Sequence, residues 1–135
     1  MDRERLPSSA GSWGFIPSDE AREYIVALQH AQPGEIVDLR PLGSKLTDAK
    51  TAAIIKTEHF EAIRLIVLAG TEIPPHKVPG NIMLHCLEGR ITLGLADSST
   101  TLSAGEWIYL TGGEMHSLKG IENSSLLLTI LFASG

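Results

Sequence analysis

Cysteine occurs once in the 135 residues, at Cys86, which excludes an internal disulfide and a cysteine-rich zinc framework. Basic residues are few and form no run: eleven Lys and Arg stand against sixteen Asp and Glu, for a formal net charge of −5. A polyanionic partner needs clustered Lys and Arg to displace its counterions, so nucleic acid is not expected. Long apolar runs are missing as well. The longest, Leu126 to Ala133, falls far short of the roughly 20 residues that span a bilayer, and no membrane partner is expected. Met1-Asp-Arg-Glu-Arg5 leads into Leu6-Pro-Ser-Ser-Ala-Gly-Ser12 rather than an apolar stretch, which does not read as a secretory signal. These absences together predict a cytoplasmic, reducing compartment.

What is present suits one ordinary globular core: 43% hydrophobic and 20% charged residues in a chain too short for two comfortable cores. Residues 1–17 read as a Pro-, Ser- and Gly-rich arm, and 18–135 as a single domain. Trp13, Phe15 and Ile16 are too apolar for a free tail and are expected to pack on the domain or on a partner subunit. Ser18, Asp19 and Glu20 offer a cap and first-turn acids. Ala21, Tyr24, Ile25 and Leu28 follow at helical spacing until Gln32-Pro33-Gly34, which predicts a short helix over about 19–31.

From there the pattern is that of strands. Glu35–Arg40, Thr51–Thr57 and Phe60–Ala69 are rich in β-branched and aromatic residues and bounded by Pro, Gly or Asp. Ile82–Leu87 and Arg90–Ala96 flank Glu88-Gly89, which reads as a hairpin turn. Asp97-Ser98-Ser99 and Ser103-Ala104-Gly105 mark further turns. Trp107–Leu110, Met115–Lys119 and Ser125–Phe132 complete a set of short strands, which predicts an all-β sandwich or barrel.

Two stretches carry spacing of a more specific kind. One runs from Gly70 through His76, Val78 and Ile82 to Gly89; the other runs from Gly105 through Thr111, Gly113 and His116 to Gly120. Their glycine and histidine spacing resembles the two motifs of the cupin superfamily over residues 70–120. The pattern is kept at Gly70, His76, Gly89, Gly105, Gly113 and His116. It departs at Val78 and Ile82, where the family has a second histidine and a glutamate, and at Thr111 and Gly120, where it has proline and asparagine. The resemblance implies a small jelly-roll barrel (a double-stranded β-helix) that in many relatives holds a metal ion.

Strand alternation predicts that His76, Val78, Ile82, Leu84 and Cys86 share a face, provided the register survives Pro79-Gly80. The family places that face inside the barrel. His116 would come from a neighbouring strand with Leu118 beside it, while Ser117 and Lys119 face away. The predicted pocket lining is thus His76, Val78, Ile82, Leu84, Cys86, His116 and Leu118. The resemblance makes His76 and His116 the candidate metal ligands, for zinc, iron, manganese or nickel. A catalytic zinc takes about three protein ligands and a non-haem iron centre two His and a carboxylate, so a third donor would have to come from Glu72, Glu114 or Glu61. Equally, the two histidines can serve as hydrogen-bonding pocket residues or as a proton-transfer pair.

Other residues have plainer readings. His85 falls on the opposite parity with Met83 and Leu87, towards the outside. His59 opens a strand, and His30 closes a helix, where a cationic imidazole suits the dipole. Cys86 reads as a small buried hydrophobe, Trp107 and Tyr109 as core aromatics of a strand, and Met115 as a neighbour of the pocket mouth. Ser125–Phe132 is apolar on both faces and Phe60–Leu68 nearly so, so the face turned away from the barrel needs a cover, either the N-terminal segment or another subunit. A homodimer is expected on this ground.

Three functions follow as expectations. The leading one is a barrel that binds or senses a small molecule, with a reduced or absent metal site. The second is a metal-dependent enzyme of oxygenase or isomerase type, using His76, His116 and a carboxylate. The third is a structural or partner-binding module.

Overall fold

Alternation between buried and exposed residues dominates the computed structural model, which describes residues 30–132. The predicted arm and most of the predicted helix lie outside the described residues. Of that helix only His30 and Ala31 are described, and neither is helical. The described residues form a 3-10 helix at Gly43–Asp48 and nine strands. These are β1 (Ala52–Lys56), β2 (Phe60–Val67), β3 (Glu72–Lys77), β4 (Asn81–Glu88), β5 (Arg90–Gly94), β6 (Ser99–Ser103), β7 (Trp107–Leu110), β8 (Met115–Gly120) and β9 (Ser124–Leu131). They make a five-stranded sheet ordered β1-β2-β9-β4-β7 and a four-stranded sheet ordered β3-β8-β5-β6. Every pairing is antiparallel. The all-β jelly-roll barrel predicted from the sequence is thus the fold observed.

The core sits between the sheets. β2 contributes Ile63, Leu65 and Val67, β4 contributes Ile82, Leu84 and Cys86, and β9 contributes Leu126, Leu128 and Ile130, all buried. The facing sheet supplies Ile73, Ile91, Leu93 and Leu118. Each Leu or Ile removed from water in this way is worth about 1.5–3 kcal/mol. β9 lies at the centre of its sheet because both its faces are apolar. Its register with β2 runs unbroken from Phe60↔Leu131 to Val67↔Ser124.

Several local expectations are corrected. Glu35–Arg40 is not a strand. The Asp38 carboxylate there accepts hydrogen bonds from the Arg40 backbone N–H and guanidinium at 2.8–3.0 Å, a side-chain turn that competes with strand pairing. Glu88-Gly89 does not close a hairpin: β4 and β5 belong to different sheets, and the chain turns a corner between them. Gly89 adopts φ +87° at this corner, and a Cβ there would collide with the Asn123 carbonyl and Ser124, so glycine is required. The sequence pattern also missed β3, whose Pro74-Pro75 pair disguises it, and the threonine-rich β6. The helix that His30 was expected to close lies outside the described residues; His30 Nε2 accepts a hydrogen bond from the Lys56 N–H at 2.8 Å, and Ala31 N–H donates to the Ile54 carbonyl at 2.7 Å. Trp107 and Tyr109 are not core residues but stand 57% and 47% exposed. Among the described residues no helix is long and apolar enough to cross a membrane.

Candidate functional site

The histidines of the two motifs meet. His76 on β3 and His116 on β8 are direct cross-strand partners in the four-stranded sheet. Side chains so placed lie about 4.5–5.5 Å apart at Cβ. A bulge makes this alignment. Between Ile73 and His76 the register slips, so that Ile73 and His76, three positions apart, both align with inward positions of β8. Pro74 and Pro75 occupy the slip. They lack N–H donors, and β3 is an edge strand, where such a loss is tolerated. The loops meet as well: Gly113 N–H donates to the Val78 carbonyl at 2.8 Å, and Gly112 N–H to Asn81 Oδ1 at 2.8 Å.

The predicted continuous face from His76 to Cys86 is interrupted. The chain leaves the four-stranded sheet after Lys77 and joins the five-stranded sheet at Asn81. Val78 and Ile82 are nevertheless both buried, at 6% and 0% exposure, and belong with Leu84, Cys86 and Leu118 to one core cluster. Ser117 is half-buried and Lys119 exposed, as alternation predicts. His85 sits opposite Trp107 and Leu127 on the other face of the five-stranded sheet. Met115 is 38% exposed.

Burial sets the state of the two imidazoles. Loss of solvent pushes His76 down to about 4, against the opposing pull of its Nδ1 contact with the Pro74 carbonyl at 3.2 Å. Burial lowers His116 too, and Glu114 opposes this. Both rings are therefore neutral at pH 7, each able to donate one hydrogen bond and accept another. The Cys86 thiol is raised by burial and hydrogen-bonds to the Glu88 and Gly89 carbonyls at 3.4 and 3.6 Å. It is not an activated nucleophile.

The donor set of the described residues does not fit a resident metal. Among the described residues no group of three or more His, Cys, Asp and Glu could hold an ion. Val78 and Ile82 present hydrocarbon, and Glu72 and Glu114 are exposed. Glu61 is buried on β2, where its cross-strand row runs through Ile130 to Ile82. Two imidazoles fall short of the three protein ligands that such sites use.

Sequence reasoning missed a second polar cluster. The Glu88 carboxylate accepts hydrogen bonds from Leu42 N–H at 2.9 Å, Gly43 N–H at 3.1 Å and the Ser125 hydroxyl at 2.6 Å. Arg64 lies 3.5 Å away and donates to the Arg40 carbonyl at 2.8 Å. Burial pushes Glu88 up, but these hydrogen bonds and the guanidinium outweigh it and leave the carboxyl below its usual value. A bulge between Cys86 and Glu88 sets Glu88 opposite Ser125, away from the core, a re-aiming typical of bulges. No sequence signal announces that slip.

No family model matches the sequence, and no curated protein is similar to it. Solved structures are similar in fold. A conserved protein of unknown function from Streptococcus pyogenes aligns over 78% of this chain and 93% of its own, at TM-score 0.64 and 18% identity. A cupin superfamily protein from Desulfitobacterium hafniense aligns over 73% and 100%, at TM-score 0.61 and 11% identity. The cupin domain of Schizosaccharomyces pombe Cnp3 aligns over 70% and 71%, at TM-score 0.58 and 23% identity. The fold is that of a small cupin.

Proposed function

We propose that this protein binds a small molecule inside its cupin barrel, with His76 and His116 holding the polar part of that molecule. The observation that carries the reading is the in-register pairing of the two histidines on β3 and β8, beside a core cluster built from hydrocarbon. A barrel that needed only stability would do as well with leucine at position 116, because an apolar group of similar shape in place of a buried polar one is often neutral or stabilising. Two neutral imidazoles instead provide donors and acceptors at one spot in an apolar interior, the pattern of a small-molecule site. Val78, Ile82, Leu84 and Leu118 would face the apolar body of the ligand. A metal-dependent reaction is not supported by the donor set of the described residues.

Native mass spectrometry of protein purified without chelator tests this reading. Retention of an organic molecule by the wild type and its loss in His116→Leu is expected. One equivalent of metal bound in place of an organic ligand would overturn it.

The same reading takes the protein as a homodimer. Trp107 and Tyr109, exposed beside half-buried Met83 and His85 on the outer face of the five-stranded sheet, support it.

A further inference from the structure

We infer that the barrel selects an uncharged ligand, one with a hydroxyl or carbonyl head and an apolar body, and discriminates against carboxylates, phosphates and other anions. This deepens the small-molecule reading above and rests on it. The support is where the basic side chains are. Among the described residues no lysine or arginine is buried. Lys77 and Lys119, which flank the histidine positions on β3 and β8, are both exposed, as alternation along a strand requires. Lys45, Lys50, Lys56 and Arg90 are exposed as well. Arg64, the most enclosed guanidinium, lies on the far face of the five-stranded sheet, engaged with the Arg40 carbonyl and Ser125 and close to Glu88. Among the described residues the one buried Asp, Glu, Lys or Arg side chain is acidic, Glu61 at 2% exposure.

An anionic head entering this interior would give up its hydration with no buried lysine or arginine among the described residues to meet it, a cost that proteins avoid by pairing buried charges. A hydroxyl or carbonyl has no such cost. It can both use an imidazole N–H and, for a hydroxyl, donate to the unprotonated nitrogen of the second ring. The hydrocarbon of Leu118, Ile82 and Leu84 suits the rest of the molecule.

The test uses three probes with one tail: 1-hexanol, hexanoate and hexylammonium, titrated at pH 7.5 into full-length protein while the ring resonances of His76 and His116 are followed by NMR. The expected result is saturable binding of hexanol, with hexanoate weaker by at least about tenfold, equivalent to about 1.4 kcal/mol. In His116→Leu the preference for hexanol over hexanoate should shrink towards unity; His116→Gln serves if the leucine variant does not fold. Hexanoate binding as tightly as hexanol would overturn the inference while leaving the small-molecule reading in place. Tightest binding of hexylammonium would also overturn it. Failure of all three to bind would overturn both.

Discussion

Glu88 with Arg64 on the outer face of the five-stranded sheet, and His76 with His116 in the four-stranded sheet, are both polar groups drawn out of water. The first pair keeps its charges and surrounds them: two backbone N–H groups and a hydroxyl bond to the carboxylate, and the guanidinium holds a loop carbonyl. The second pair sheds charge, because burial keeps both imidazoles unprotonated. A cluster whose charges are met by fixed groups of the chain pins the segment around residues 40–43 to the barrel. A cluster that is neutral, adaptable in hydrogen bonding and set beside hydrocarbon is suited to a guest.

The contrast is sharpest on substitution. Glu88→Gln removes the charge that faces Arg64 and replaces one of the two oxygens that accept from Leu42, Gly43 and Ser125 with an NH2 donor. With both side chains only 13% exposed, it should lower stability by about 2–4 kcal/mol, read from urea denaturation. A loss below about 0.5 kcal/mol would show that the cluster does not anchor the loop.

Acid separates the two clusters less drastically. The histidines have folded-state values below the ordinary 6.5, so the unfolded chain takes up protons first. Their contribution is complete above that value and is lost as pH falls from 6.5 towards about 4, the value for His76. Glu88, also lowered, favours the fold above its ordinary 4.5, and that contribution is lost only in stronger acid. The urea midpoint of the wild type should therefore begin to fall near pH 6.5. In the His76→Leu, His116→Leu double variant it should stay flatter down to about 4.5. Identical profiles would mean that the imidazoles are not held neutral.

The smallest effect concerns the outer face. Trp107→Ser with Tyr109→Ser, at exposed positions, should change the stability of the subunit by no more than about 0.5 kcal/mol. It should nonetheless shift sedimentation from dimer to monomer at micromolar concentration. A wild type that already sediments as a monomer would remove the homodimer from consideration.

Much of the fold was legible because alternation is a strong signal in β2, β4, β5 and β9, where the inward positions are Leu, Ile, Val and Cys apart from Glu61 and Ser124. The glycine and histidine spacing placed His76 and His116 before their pairing was visible. What escaped had specific physical causes. Residues 35–40 carry strand-like composition, yet the Asp38 side chain satisfies the backbone and guanidinium of Arg40 locally. Glu88-Gly89 looks like a hairpin because a turn between sheets and a turn within one use the same residue types. The Arg64–Glu88 cluster joins positions far apart in sequence through a register slip that composition does not encode. Trp107 and Tyr109 read as core because aromatic strand residues usually are, whereas β7 is an edge strand with one face outward.

The slip between Cys86 and Glu88 also limits how this molecule can be compared with other barrels. It reverses the phase of the strand, so counting inward positions backwards from Gly89 assigns the wrong side chains to the interior, whereas counting forwards from Ile82 assigns the right ones only as far as Cys86. Two relatives that differ by one residue in that stretch would keep the same glycine and the same lumen while exchanging which polar groups meet water.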